Sequence, residues 1–247
     1  MKFKVLITQI ILVISFIISW QILANTGLIN SFIFSSPTKI ITTTYDLLIN
    51  AKLIYHIYIT LNETIIAFLL GIIISFLVSI IMYELRFIGN VLEPFLTIIN
   101  SLPKVALGPM IIIWFGANTK SIIVMALLIN VIVSIITIYT SFINTDKDYI
   151  FLFKTFNATK LDILTKLIIK INYPTIVASF KINIAMTLIG VIMGEFLVSK
   201  AGLGYLIIYG MQIFNLNIVI SGIIILIGLS YILYYLVNNL NKWLIKR

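Results

Sequence analysis

The chain has 247 residues, of which 61% are hydrophobic and only 10% are charged. Its mean hydropathy is +1.17. Soluble domains carry about 25% charged residues, so a soluble fold of this composition would leave a large apolar surface in water. Lipid is the simplest environment for that surface, and the composition therefore excludes an ordinary water-soluble domain.

Seventeen Lys and Arg residues against eight Asp and Glu give a formal charge of +9. In a soluble protein this excess would indicate nucleic-acid binding, but here most basic residues lie in short connections between apolar runs. Basic residues in such connections fix the orientation of membrane helices. Nucleic acid is therefore not an expected partner. The absence of cysteine excludes disulfides, thiol catalysis and cysteine metal sites.

Six apolar runs are long enough to cross a bilayer as helices, which need about 20 residues. They predict an all-α membrane protein with a single transmembrane domain over residues 1–247. The first run follows two lysines and could be a signal peptide, but it is of spanning length and no small-x-small cleavage site follows it. An uncleaved first helix is therefore expected. The predicted spans are 5–24, 64–83, 94–116, 121–143, 175–198 and 217–240.

The basic residues also predict the orientation of the spans. With the N-terminus inside, eleven of them fall on the cytoplasmic side and four outside, so both termini are expected to be cytoplasmic. The eleven are Lys2, Lys4, Arg86, Lys147, Lys154, Lys160, Lys166, Lys170, Lys242, Lys246 and Arg247, and the four are Lys39, Lys52, Lys120 and Lys200.

The longest predicted cytoplasmic connection, residues 144–174, is more than a linker. It has few turn residues, and its apolar positions recur at helical spacing. Thr159 with Asp162 three residues later predicts a capping box that begins a second helix. Two short amphipathic helices on this side indicate a docking surface. The alternative is that they pack against the spans of the protein itself or against lipid headgroups.

Lys104 lies near the middle of the third predicted span, between Pro103 and Pro109. A charge inside a membrane is costly, and the prolines predict a broken helix of the kind that transporters place along water-filled cavities. Lys104 is therefore a candidate for a pathway residue that favours anionic solutes. The alternative is that the helix begins later and that the lysine snorkels to the interface.

Three residues of the fifth span stand out. Glu195, near its predicted outer end, either faces the pathway or caps and orients the following loop. Gly190 and Gly194 form a Gly-x-x-x-Gly pair, which lets two helices approach closely. Helix packing within one subunit is the simplest role for that pair.

Four segments resemble the inner-membrane permease subunits of type I ATP-binding-cassette importers, especially the nitrate, sulfonate and taurine branch. One is Ser36-Pro37-Thr38-Lys39, and another is the 144–174 connection. The third runs from Leu102-Pro103-Lys104-Val105-Ala106-Leu107-Gly108-Pro109 to Trp114-Phe115-Gly116. The fourth is Gly194-Glu195 followed by Ala201-Gly202-Leu203-Gly204-Tyr205-Leu206-Ile207. The resemblance covers nearly the whole chain, from about residue 36 to residue 240.

The resemblance places the family's coupling motif in residues 144–174, where a short helix inserts into a cleft of the ATPase subunit. This chain departs from the motif: Phe151 stands at the Glu position, Asn157 at the Gly position and Lys170 at the first of two prolines, of which Pro174 remains. Asn157 is physically compatible, since Asn tolerates the left-handed conformation that ends a helix. The expected coupling residues are Phe151, Lys154, Asn157, Ala158, Thr159 and Pro174.

The resemblance also implies the partners. They are ATPase subunits that hold ATP and Mg²⁺, an extracytoplasmic solute-binding protein, and a second permease copy in a homodimer within the cell inner membrane. No Gly is followed by Lys, so the chain has no Walker A loop and is not expected to be an enzyme. No cofactor or metal site is expected in it. The implied cargo is a small anion such as nitrate, sulfonate or taurine. The alternatives are a vitamin-precursor importer of the same family and a stand-alone secondary transporter or channel.

Overall fold

The computed structural model describes the backbone of residues 2–50 and 52–245 and the side chains of residues 7–50 and 52–244. Every regular element in these ranges is helical, as the sequence predicts. The chain divides into two compact units. The first contains the described residues up to Ile59 together with Lys200–Gly228, and the second contains Thr60–Ser199 and the described residues from Leu229 onward.

In the described residues, the first unit holds four complete helices and parts of two others. Asn30 caps the short second helix by accepting a hydrogen bond from the Phe32 N–H. The helices are α1 (Lys2–Asn25), α2 (Ser31–Phe34), α3 (Pro37–Asn50), the start of α4 (Leu53–Glu84), α11 (Leu203–Gln212) and the first part of α12 (Leu216–Ile245).

The second unit holds the remainder of α4 and α12 and all the helices between residues 86 and 198. They are α5 (Arg86–Ser101), a 3₁₀ turn (Lys104–Leu107), α6 (Gly108–Phe115), α7 (Thr119–Ile143), α8 (Lys147–Thr155), α9 (Lys160–Asp162) and α10 (Ile169–Val198). A π-helical turn, Ile163–Ile168, joins α9 to α10 without a break.

Five helices in the described part of the chain are long and apolar enough to cross a membrane, or six if one bent pair counts as a single span. The five stretches are Ile7–Asn25, Leu53–Glu84, Thr119–Ile143, Lys160–Val198 and Leu216–Leu244. Each contains or closely overlaps a predicted span. The largest differences are at the starts of two stretches: Lys160–Val198 begins fifteen residues before the predicted start at residue 175, and α4 begins eleven residues before the predicted start at residue 64.

The third predicted span, 94–116, is the bent pair. Its two halves, Arg86–Ser101 and Lys104–Phe115, meet at an angle of 92°. Pro103 explains the break, since its ring disfavours helical backbone at the preceding residue, and Leu102 is extended with ψ of 145°. The sequence predicts a broken helix at these prolines, and the helix is interrupted at Leu102 and Pro103.

The packing of α7 against α10 forms the centre of the second unit. A Cβ built on Gly190 would lie 2.5 Å from the Ala126 Cα, and one built on Gly194 would lie 2.9 Å from the Ile122 Cα. The two glycines therefore lie where the helix backbones approach each other too closely for a larger side chain. Asn130 of α7 donates to the Thr187 hydroxyl of α10 at 2.5 Å, which adds a buried polar link.

The orientation rests on the basic residues and stays a prediction. Four of the eleven inside residues, Lys2, Lys4, Lys246 and Arg247, contribute side chains that lie outside the described part of the chain.

Candidate docking site

The 144–174 segment contains the two short helices that the sequence predicts. Asp146 begins α8 by accepting a hydrogen bond from the Asp148 N–H at 2.9 Å. One side of α8 faces the unit: Ile150 and Phe153 pack against a buried cluster that includes Phe142 and Ile168. This apolar contact holds α8 against the ends of α7 and α10.

The other side of the segment exposes large apolar side chains. Phe151 is 69% exposed, Phe156 77% and Leu161 70%. They flank the turn between α8 and α9, and Phe156 also lines a shallow cleft with Asn157 and Lys166. Aromatic side chains left open beside a rigid turn are typical of interface anchors.

Local hydrogen bonds define the conformation of the turn between α8 and α9. Asn157 has φ of 56°, the left-handed conformation that its position after a helix was expected to require. Its N–H donates to the Lys154 carbonyl at 3.0 Å, and the Ala158 N–H donates to the Phe153 carbonyl at 3.1 Å. These two bonds define a Schellman motif, and Ala158 and Phe153 pack against the same buried cluster, as that motif favours.

The second helix starts at the predicted capping box. The Thr159 hydroxyl accepts from the Asp162 N–H, while the Asp162 carboxylate accepts from the Thr159 N–H at 3.1 Å. Lys166, one turn further along, pairs with Asp162 at 2.5 Å. Only the turn residues 156–159 separate the two helices, so their relative direction is tightly fixed.

The segment is also tied to the spans. The Asn172 amide donates to the Thr145 hydroxyl at 2.7 Å and to the Ile168 carbonyl at 2.9 Å, which joins the start of α10 to the end of α7. Pro174 lies inside α10 and is exposed. Because α9, the π-helical turn and α10 form one continuous helix, a displacement of the turn at Asn157 would be passed directly into α10.

The structure therefore brings Phe151, Lys154, Asn157, Ala158 and Thr159 together around one turn and places Pro174 separately, within α10. Lys154 and Thr159 are exposed, and Ala158 is partly buried. The geometry suits docking of a partner with an apolar pocket. Among the described residues, no group of three His, Cys, Asp or Glu side chains could hold a metal ion.

Lys104 lies at the bend between α5 and α6, at the first residue of the 3₁₀ turn. Its ammonium donates to the Asn100 side-chain oxygen at 2.9 Å and to the Ile129 carbonyl at 3.4 Å. The side chain is partly exposed. It is neither fully enclosed nor paired with a carboxylate among the described residues, so its positive charge is available to a solute or a headgroup.

Glu195 is buried near the end of α10, and its Oε1 accepts a hydrogen bond from the Thr60 hydroxyl at 2.6 Å. Sequence reasoning missed its neighbour Glu63, whose carboxyl contacts both Thr119 and Glu195. It was missed because the predicted span began at residue 64. The polar run Thr60, Asn62, Glu63 and Thr64 carried the signal, since Thr60, Glu63 and Thr64 are spaced to lie on one face of a helix.

Comparison with known families accounts for these features together. Residues 71–246 match the family of binding-protein-dependent transport system inner membrane components. The chain belongs to this family. It is therefore a multi-pass membrane protein and a permease subunit of the ATP-binding-cassette importers, whose members are transport components rather than enzymes.

Three relatives of this permease illustrate the range of the family. A Haemophilus influenzae protein named as a probable ABC transporter permease is 30% identical over 92% of this chain and 91% of its own length. A Bacillus subtilis protein whose assigned name is that of an aliphatic sulfonates transport permease is 23% identical over 92% and 82%. The formylaminopyrimidine transport permease of Halalkalibacterium halodurans is 27% identical over 70% and 69%.

A solved structure shares the permease fold. A chain of the inward-facing MetNI methionine ABC transporter superposes with a TM-score of 0.67 and 17% identity. The superposition covers 78% of this permease and 95% of that chain. The likeness confirms the predicted importer permease fold.

Proposed function

We propose that the 144–174 segment docks onto a separate ATPase subunit and that the spans form the pathway of an importer supplied by a solute-binding protein. The exposed face of the segment is the observation that carries this proposal. Phe151, Phe156 and Leu161 present apolar surface around a rigid turn. The same turn is joined through one continuous helix to α10, which gives ATPase motion a mechanical route into the spans.

Phe151 stands at the position where the family's coupling motif has Glu. A phenylalanine at this position is consistent with an apolar anchor. Burying a phenylalanine side chain at an interface contributes about 1.5–3 kcal/mol, which changes an association constant by roughly ten- to a hundredfold. The neighbouring Lys154 is exposed and adds a positive charge at the rim. The expected partner surface is therefore an apolar cleft with an acidic edge.

Phe151→Asp tests the docking. It should cut retention of the ATPase on the affinity-purified permease by tenfold or more, because a carboxylate would be buried against an apolar cleft. The measurement is co-purification of the co-expressed ATPase in detergent. Phe214→Asp is the matched control, since Phe214 is 76% exposed in the first unit and lies outside the segment.

Full retention of the ATPase by Phe151→Asp, with unchanged ATP-driven uptake, would contradict the anchor role. The side of the membrane is checked separately. A cysteine at Lys160 should react with an impermeant reagent only after cells are permeabilised, while cysteines at Lys120 and Lys200 should react in intact cells. Labelling at Lys160 in intact cells would place the segment on the wrong side for an ATPase.

We infer that the cargo is a small anion, because Lys104 places a positive charge at the bend between α5 and α6 and has no carboxylate partner among the described residues. The sulfonate relative supports an anionic cargo, and the formylaminopyrimidine relative favours a vitamin precursor as the second candidate. Two copies of the permease would form the pathway, as a homodimer. ATP and Mg²⁺ would bind in the ATPase subunits.

Lys104→Ala distinguishes the two cargo classes. Uptake of an anionic solute such as taurine or nitrate should fall about tenfold, while the ATPase still co-purifies. Lys120→Ala, an exposed lysine at the start of α7, is the control. Unchanged uptake in the Lys104→Ala variant would indicate that this lysine is an interfacial anchor. It would also favour a vitamin precursor as the cargo.

A further inference from the structure

Two carboxyl groups lie in contact inside the second unit. Glu63 of α4 is 3% exposed and Glu195 of α10 is 1% exposed. The Glu63 side chain interacts with the side chains of Thr119 and Glu195, and Thr60, which binds Glu195, lies one helical turn before Glu63 on α4. Both residues belong to helices long and apolar enough to span a membrane, where an isolated ionised carboxylate is costly.

Two carboxyl groups in contact inside a protein require a proton between them. Two ionised carboxylates at this separation repel each other and neither can donate, whereas one shared proton removes a charge and supplies the donor. The surroundings fit this arrangement. Glu195 already accepts from the Thr60 hydroxyl at 2.6 Å, so its second interaction can be with the protonated Glu63.

The second oxygen of Glu63 supports the same conclusion. Glu63 Oε2 is buried and has no hydrogen-bond partner among the described residues. An unpaired buried oxygen costs far more on an ionised carboxylate than on a neutral carboxyl, because the neutral group carries little charge there. Glu63 is therefore the member of the pair that is better suited to carry the proton.

In the described part of the chain, no basic side chain pairs with Glu63 in place of the proton. The helices that contact Glu63 are α7 and α10, and the nearest charged side chain on α7 is Lys120, which is exposed. Lys181 of α10 is fourteen residues before Glu195, about 21 Å along the helix. On α4, the titratable residues His56 and Tyr58 lie closer to its N-terminus than Glu63. Among the described residues, Glu63 has no Lys or Arg at ion-pair distance.

We propose that Glu63 and Glu195 form a buried proton-binding site, in which one proton is held between the two carboxyl groups at neutral pH. The proton joins α4 to α10. Its loss would leave two negative charges in contact and weaken that joint. The site belongs to the permease itself and depends on neither the docking nor the cargo proposed above.

Infrared spectroscopy of the full-length permease in lipid nanodiscs tests the site directly. The chain has four glutamates, and the other two, Glu84 and Glu93, are exposed. In protein labelled with ¹³C-glutamate, a protonated carboxyl band at pH 7 can therefore be assigned to the pair. The wild type should show this band in buffer containing either sodium or potassium. Glu63→Gln and Glu195→Gln should each abolish it, and Glu93→Gln should leave it intact.

Thermal unfolding supplies a second readout. The pH dependence of the wild-type melting temperature can be interpreted without comparison with a variant. As the pH is raised until the band disappears, the melting temperature of the wild type should fall over the same interval, because the two carboxylates then repel each other. Glu63→Gln should fold, since its amide can donate to Glu195 in place of the proton, and should not show this fall.

Three results would overturn the proposal. One is the absence of a protonated glutamate band in the wild type at pH 7. Another is a band that survives in both single Gln variants, which would mean that each carboxyl is protonated independently. The third is a band that emerges only when sodium is removed, which would make the site a cation site.

Discussion

The interface of α7 with α10 and the outer face of α8 use side chains in opposite ways. At the interface, buried amides donate hydrogen bonds from one helix to the other: the Asn183 amide donates to the Ser134 hydroxyl at 3.1 Å, and the Asn130 amide donates to the Thr187 hydroxyl. On α8 the apolar Phe151 is 69% exposed, although Phe153, two residues away, packs inward.

This difference separates a region that stabilises the fold from the face that we propose docks onto a partner. Lipid solvates apolar side chains but not polar ones, so the spans bury their amides and hydroxyls against one another. The α8 face lies on the 144–174 connection, and Phe151 gains no stabilisation from burial there because its side chain is exposed. The interface therefore stabilises the fold, and the α8 face offers surface to another molecule.

The largest effect is expected from overpacking the interface. Gly190→Val should destabilise the permease by about 3 kcal/mol or more, since its Cβ would overlap the backbone of Ala126, which cannot move aside as a side chain could. Yield of monodisperse protein and its melting temperature in detergent are the measurements. Gly228→Ala is the control, because a Cβ there meets no atom within 4 Å. Normal yield from Gly190→Val would show that the helices are less closely packed.

Substitution of Phe142 and of Phe151 tests the difference between the buried interface and the exposed face of α8. Phe142 is fully buried at the end of α7 and contacts the ring of Tyr83 edge-on at 5.8 Å. Phe142→Ala should lower the free energy of unfolding by about 3 kcal/mol through the cavity that it leaves. Phe151→Ala should leave the stability of the isolated permease unchanged and weaken only ATPase retention. Equal melting temperatures for the two variants would remove the distinction between core and docking face.

The smallest expected effect concerns the turn that holds the docking face in place. Asn157→Val should cost about 1–2 kcal/mol, because a β-branched residue resists the positive φ of 56°. Asn157→Gly should be tolerated, since Gly adopts that conformation without strain. Partial proteolysis within residues 144–174, compared between the two variants, reports on the order of the turn. Faster cleavage of the Gly variant than of the Val variant would contradict this account.

Much of the local structure of the 144–174 segment could be predicted from sequence. The capping box at Thr159 and Asp162, the left-handed residue at Asn157 and the two short helices all depend on residues close together in the chain. Whether the segment's apolar residues pack inward or stay exposed could not be predicted. Spacing alone left both possibilities open, and the structure divides them, with Phe153 inward and Phe151 outward.

By itself, the sequence determined that the chain is a helical membrane protein, where most of its spans lie and which family it resembles. These follow from composition, run length and local motifs, which need no knowledge of neighbours in space. Only the tertiary structure decided the 92° bend at Pro103 and the contact of Glu63 with Glu195. A proline permits a bend without setting its angle, and two carboxyl groups 132 residues apart meet only because α4 and α10 pack side by side.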